Sequence, residues 1–272
     1  MMNDPYKQRL YYAQNSTNFC SLSGITNISI AKNISYADSY SLGGVCSPLQ
    51  INAPTQVEIN LEFDLVQRND FLQYTGVNSI CFNIFNGSNY VYVPNLYLDS
   101  YSAQFTVGSI PKVNAKFVSY FGEIINSSAP TTIIQNPFSI EIPNLNSICL
   151  SGLTLSTNGI LNNQNIYSFT YSANSKRCVF YDTNITNPDV ILIMPIVTSA
   201  TINSKFIGAA VDESTVSTIN PTRTLNFYIV NSNTTSTGIF PITNSSLISS
   251  DFRYSSSNFL ELKRDYLGYY GI

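Results

Sequence analysis

Residues 55–63, TQVEINLEF, and 97–117, YLDSYSAQFTVGSIPKVNAKF, alternate apolar and polar side chains almost without a break. In an extended chain successive side chains point to opposite faces, so such a run carries one apolar face and one polar face. It suits a half-buried β-strand and nothing else of that length. Val57, Ile59, Leu61 and Phe63 fall on one side, Glu58, Asn60 and Glu62 on the other. In the second run Tyr101, Ala103, Phe105 and Val107 oppose Ser102, Gln104 and Thr106. A Gly-Ser-Ile-Pro turn follows, after which Val113, Ala115 and Phe117 alternate with Asn114 and Lys116. Ile28 and Ile30 in GITNISIAKNI extend the pattern upstream. NIYSFTYSA, DVILIMPI, SATINSKF, RTLNFYIV and NFLELKRDY, all rich in β-branched and aromatic residues, extend it downstream. Helix signals are confined to DLVQRNDFLQYTG and DESTVSTI. In the first, Asp64 serves as cap, Leu65, Phe71 and Leu72 as inner face and Gly76 as stop. The expectation is an all-β protein with short helical inserts.

The pattern recurs along the chain. GITNISIAKNISY, a long polar connection and PTQVEINLEF make a strand, a loop and a returning strand that ends on Phe63. NIYSFTYSANSKR, a similar connection and VTSATINSKF repeat that arrangement and end on Phe206. A second strand pair follows each, at 96–118 and at roughly 223–265. NSSAPTTIIQNPF has the Ser/Thr/Pro composition of a linker. Two tandem β units are expected, residues 1–128 and a more divergent 129–272.

Composition removes most chemistry. The chain has no histidine, which excludes Ser-His and Cys-His nucleophilic pairs and histidine-ligated metals. Glu58 and Glu62 share a strand face about 13 Å apart, wider than glycosidase carboxylates stand. The five cysteines, Cys20, Cys46, Cys81, Cys149 and Cys178, are scattered with no C-x-x-C pair, as suits isolated thiols. No catalytic residue, metal or cofactor is expected. A net charge of -3 with no basic run beyond Lys176-Arg177 and Lys263-Arg264 argues against a dedicated nucleic-acid surface. No apolar stretch is long enough to cross a membrane as a helix, and the N-terminus lacks the apolar run of a signal peptide, so synthesis and folding in a cytosol are expected. Charged residues make up only 11% of the chain, so Asn, Ser, Thr and Tyr must carry its solubility. Surfaces of that kind are easily desolvated and suit permanent assembly. Tyrosine-rich clusters such as NYVYVPNLYLDSY and DYLGYYGI fit subunit interfaces and also fit a sugar-stacking surface.

The segment LYLDSYSAQFTVGSIPKVNAKFVSYFGEI resembles one common in the tail tube and related virion proteins of tailed phages, with its strand, VGS-x-P turn and alternating return strand. LSGITNISIAKNISYADSYSLGG followed by APTQVEINLEFDLVQRNDFLQYTG is similar to that family's strand, long loop, strand and short helix. The resemblance covers residues 22–125; in 137–272 only the strand-loop-strand unit recurs. It implies a β-sandwich module whose sheets join edge to edge into a ring with an inner β-barrel, rings stacking into a tube through which viral DNA passes without specific binding. Tyr101, Phe105, Val107, Val113 and Phe117 would then face the subunit core, and Ser102, Gln104, Thr106, Asn114 and Lys116 the lumen. The connections at 36–54 and 174–189 would dock on the adjacent ring through Leu42, Val45, Leu49, Val179 and Phe180. The partners implied are the chain itself, as a trimeric ring if two units are present and a hexameric one otherwise, and other tail proteins. The setting is the virion tail. A hub, distal tail or adaptor protein uses the same module, and a carbohydrate-binding β-sandwich on a fibre or capsid is the reading from another class.

Overall fold

The computed structural model describes residues 8–14, 18–33, 36–40, 46–50, 55–66, 71–76, 78–134, 148–151, 166–181, 187–207, 223–230, 236–254 and 259–269. They form nineteen strands: β1 Arg9–Ala13, β2 Phe19–Leu22, β3 Ile25–Asn33, β4 Tyr36–Tyr40, β5 Cys46–Gln50, β6 Gln56–Asp64, β7 Ile80–Phe85, β8 Tyr90–Thr106, β9 Lys112–Ser119, β10 Ile125–Ser127, β11 Ile133–Ile134, β12 Ile148–Ser151, β13 Ile166–Asn174, β14 Arg177–Tyr181, β15 Pro188–Ile193, β16 Val197–Ile207, β17 Arg223–Val230, β18 Ser236–Tyr254 and β19 Phe259–Tyr269. The all-β expectation is correct.

The helical expectation needs correction. Among the described residues the only helical element is a single 3-10 turn, Phe71–Thr75. Asp64, read as a cap, is the last residue of β6, paired with Lys112. Its N–H donates to the Gly24 carbonyl, and the Leu65 N–H donates to the Pro111 carbonyl. The chain is therefore still extended in the sheet at the position read as the cap, and no helix starts there. The intended inner face still points inward: Leu65, Phe71 and Leu72 are all buried. DESTVSTI lies outside the described residues.

One long antiparallel sheet organises the molecule, in the order β3-β6-β9-β8-β13-β16-β19-β18. The order β3-β6-β9-β8 is repeated by β13-β16-β19-β18. The starts of β3 and β6 (Ile25, Gln56) and of β13 and β16 (Ile166, Val197) are separated by the same interval. The connection inside each run is itself a strand pair, β4–β5 in the first and β14–β15 in the second. From the sequence the first connection reads as a loop, while DVILIMPI in the second reads as a strand and covers most of β15. β8 and β18 are the longest strands, and each pairs with different neighbours along its length. The first part of β8 pairs with β7, and β7 with β1; the first part of β18 pairs with β17, and β17 with β12.

Period two decides which face is covered. Val57, Ile59, Leu61, Phe63, Leu98, Ala103, Phe105, Phe117 and Phe169 are all buried on one side of the long sheet. Against them pack Leu10 and Tyr12 of β1, Phe82 and Ile84 of β7, and the 3-10 turn. Phe71 sits at the middle of this packing, its ring 5.0 Å from Tyr12, 5.2 Å from Phe117 and 5.9 Å from Phe63. Phe240 on β18 has the corresponding place over β8 and β13, at 5.2 Å from Phe105, 5.3 Å from Tyr171 and 5.9 Å from Phe169. Edge-on rings at these spacings add to plain area burial. The β8–β9 turn uses Gly108 at φ 79°, in the left-handed region that glycine enters without strain. The segment read as a linker carries β10, paired with β8, and β11, paired in parallel with β2, so its main chain stays on the first half as far as Ile134.

Candidate functional site

Three surfaces stand out: the polar face of the long sheet, the β14–β15 hairpin and the two ends of the sheet. On the polar face Ser102 stands opposite Asn114 on one side and Ser172 on the other, and Ser172 opposite Ser199. Gln104 stands opposite Thr170, Thr170 opposite Thr201, and Thr201 opposite Asp265. Cross-strand hydrogen bonds tie these rows together. Ser172 and Ser199 share one of 2.7 Å, and Asn203 donates to Ser168 at 2.9 Å. Thr201 and Ser249 each donate to Asp265 at 2.6 Å. Burial pushes the Asp265 carboxyl up, but the bonds from Ser249 and Thr201 and the charge of Lys263 outweigh it and hold the group below the usual carboxylate range.

Three pairs of opposite charge lie on this face: Lys116 with Glu58 at 3.2 Å, Lys263 with Asp265 at 3.2 Å and Lys205 with Glu261 at 3.8 Å. Pairs this exposed add little stability; each cancels part of the local field. Of the residues expected to line a lumen, Ser102, Gln104, Asn114 and Lys116 lie here, and Thr106 stands opposite Ser168 in the same face. Two adjoining clefts of about 500 and 420 Å3 run along it and share Glu62, Ser102 and Asn114. On the reverse side Tyr101, Phe105, Val113 and Phe117 are buried, and Val107 is half-buried against the core.

The β14–β15 hairpin is held at its root and bare along one side. Ser175 donates its N–H to the Asp99 carbonyl at 2.8 Å and its hydroxyl to the Thr75 carbonyl at 2.9 Å. Arg177 donates to the carbonyls of Leu98 at 2.9 Å and Thr75 at 2.6 Å, with Tyr74 and Gly76 both at 3.3 Å. Its guanidinium also lies 4.9 Å from the centre of the Tyr97 ring, a cation–π stack. Sequence reading missed this residue; its one signal is an arginine beginning the otherwise apolar run RCVFY. Burial lowers the Arg177 pKa, opposed by Tyr120 and Asp99. Burial likewise raises Asp99, against the pull of Lys116 and Arg177 and with help from Glu58.

Farther out, Phe180 stands opposite Val190 and Cys178 opposite Leu192. Phe180 is 54% exposed and Leu192 50%. Val190 and Met194 are exposed beside them. Val179, grouped with Phe180 in the sequence reading, is half-buried and belongs to the opposite face of the hairpin. Leu49 lies in β5 opposite Ala37. Leu42 and Val45 are outside the described residues.

Both ends of the long sheet are open among the described residues. β3 pairs with β6 alone among the described residues. β17 and β19 both reach the stretch Thr243–Ser246 of β18, so they occupy opposite edges of it. Past Ser245, β17 stops and that edge has no partner among the described residues. No group of three or more Asp, Glu, Cys or His that could bind a metal occurs among the described residues. No helix among them is long and apolar enough to cross a membrane.

Among the described residues these surfaces are open strand edges, an exposed apolar side of a hairpin and a polar sheet face. No family model matches the chain, and no curated protein matches it in sequence. Among solved structures, a chain of the virion of the native gene transfer agent (GTA) particle is similar with a TM-score of 0.36 and 13% identity. That match spans 47% of this chain and 100% of the other.

Proposed function

We propose that this protein is a structural virion protein of a tailed phage, the tube subunit of its tail, and that its working form is a ring stacked into a conduit for DNA. The observation that carries the reading is the repeated order of the long sheet together with its two unpaired ends. An exposed, unblunted strand edge invites pairing with another chain, and a closed ring of like copies removes every such edge at once. Residues 1–128 and 129–272 act as two copies of one unit, so three chains supply six units to a ring. The polar face lines the channel. Its paired lysines and carboxylates present little net field, which lets a polyanion slide through without being held. The β14–β15 arm, with Phe180 and Leu192 bare, reaches the next ring; the connection holding Leu42, Val45 and Leu49 does the same from the other unit. No step of this role requires a catalytic group or cofactor.

Electron microscopy of the purified protein tests it. Stacked rings with a central channel, built from trimers, are the expected result. Quantitative mass spectrometry of whole particles then separates the tube from a hub or adaptor, because a tube subunit is present in many copies and a hub in a few. A discrete monomer that binds glycans would favour the carbohydrate-binding alternative and overturn the proposal.

A further inference from the structure

The chain contains one joint between its two runs, where β8 meets β13 in an antiparallel pair. Ser102 faces Ser172, Ala103 faces Tyr171 and Phe105 faces Phe169. If the two runs are copies, that joint has an unfilled counterpart, and the strand registers say which residues form it. Val57 stands opposite Ser119 and Phe63 opposite Val113; in the second run Thr198 stands opposite Gly268 and Ser204 opposite Leu262. Val113 pairs with Ala103, and Leu262 with Phe252, so Phe252 has the place of Ala103. On the receiving side Tyr171 pairs with Ala200, and Ile30 with Ile59, so Ile30 has the place of Tyr171. The two strands so identified, β3 and β18 beyond Ser245, are the two unpaired ends described above.

We infer that β18 of one copy pairs antiparallel with β3 of the next in a fixed register: Asp251 with Ala31, Phe252 with Ile30, and Tyr254 with Ile28. This rests on the ring reading and adds to it the identity of the mating strands and their alignment. A slip by one residue would turn every side chain to the wrong face, so the register is a strict claim. The exposure of β3 agrees. Ile28 is buried, but Ile30, on the same side and next to the fully buried Ile59, is 37% exposed, as expected of an apolar position whose second neighbour is a strand of another molecule. β3 has nine residues, no proline and a single charged residue, Lys32. Its one irregularity lies between Ile25 and Asn27, so the stretch Ile28–Ala31 that would pair carries none of the charges, prolines or bulges by which solitary edge strands avoid association.

Cysteine pairs read the register directly, because residues opposite each other in antiparallel strands have Cα atoms within disulfide range. Ala31→Cys with Asp251→Cys is the test pair and Ser102→Cys with Ser172→Cys the internal reference. Ala31→Cys with Arg253→Cys is the off-register control. After mild oxidation, peptide mapping should find the 31–251 link between chains, with loss of the monomer band on a non-reducing gel. The 102–172 link should form within one chain, and the control should stay monomeric. Hydrogen exchange of the unmodified protein gives a second readout: amides of Ile25–Asn33 and Ser246–Tyr254 should be protected in the assembled form and lose that protection on dissociation. Ring-sized particles with a 102–172 link but no 31–251 link, or with fast exchange at both strands, overturn the joint and leave the ring reading standing. A protein that remains a monomer at all concentrations overturns both.

Discussion

Arg177 and Asp99 show how much two half-buried charged neighbours can govern locally. Arg177 spends its hydrogen-bonding capacity on main-chain carbonyls of β8 and the 3-10 turn rather than on a carboxylate. Removing it takes a donor from each of those half-buried carbonyls and leaves Thr75 with the Ser175 hydroxyl, a cost of about 1–3 kcal/mol. Arg177→Met should therefore lower the denaturant midpoint of the isolated protein, and Arg177→Lys should recover only part of the loss. An ammonium cannot reproduce the planar fork that reaches Leu98 and Thr75 together. Asp99 makes a pH prediction. Burial raises its pKa above the ordinary value even with Lys116 and Arg177 nearby. The folded protein therefore binds this proton more tightly than the unfolded chain does. The resulting stability is fully present below the unfolded carboxylate pKa and is lost as pH rises through the higher folded value. Asp99→Asn should flatten that decline in a thermal-shift series and leave the neutral-pH protein no less stable than the wild type. A steeper decline in the variant would show that the carboxylate is favoured in the fold.

At the scale of elements, the hairpin arm is where folding and assembly separate. Phe180 and Leu192 are exposed on a hairpin whose root is fixed by Arg177 and Ser175, so the fold gains little from either side chain. Phe180→Ser with Leu192→Ser should leave the denaturation midpoint of the dissociated subunit within about 0.5 kcal/mol of wild type, while ring stacking, read as tube length in electron micrographs, should fall sharply. Loss of subunit stability instead would mean that the arm folds back on its own molecule. The sequence made the strands legible because Val57 to Phe63 and Tyr101 to Phe117 obey period two and the structure buries that face. It made the β14–β15 arm legible only in part: DVILIMPI reads as a strand from its β-branched run, but its partner RCVFY has apolar residues on both faces and carries no alternation to read. The helix at 64–76 misled for a related reason: Leu65, Phe71 and Leu72 have helical spacing, but β-pairing to Gly24 and Pro111 claims the backbone first. Of the surfaces, the polar face could be read from Ser102, Gln104, Asn114 and Lys116. The open edges could not, because an edge is defined by which strands pair, and pairing between distant segments leaves no local mark.

Across the whole molecule, two aromatic clusters answer to one continuous sheet. Phe71 gathers Tyr12, Phe63, Phe82 and Phe117 in the first half. Phe240 gathers Tyr101 and Phe105 from β8 with Phe169 and Tyr171 from β13, and so lies across the seam between the halves. The Tyr171 hydroxyl also donates to the Pro241 carbonyl at 3.2 Å, fixing β18 over that seam. The main cluster of buried apolar side chains runs through both halves, from Leu10 to Tyr266, with a smaller one of Tyr11, Ala13, Phe19 and Cys81 beside it. A shared core and a shared sheet make unfolding of one half expose surface of the other, so the halves should unfold together. Phe71→Ala and Phe240→Ala each remove a large ring from a packed site, at a cost of about 3–5 kcal/mol. Calorimetry of the dissociated subunit should show one transition in the wild type, moved to lower temperature as a whole by either substitution. If Phe240→Ala instead splits the profile in two, with the first transition shifted and the second left in place, then the β8–β13 seam is a docking contact between independently folding halves. In that case a seam of the same design between molecules would hold a ring together only weakly, and the ring would depend on the arms.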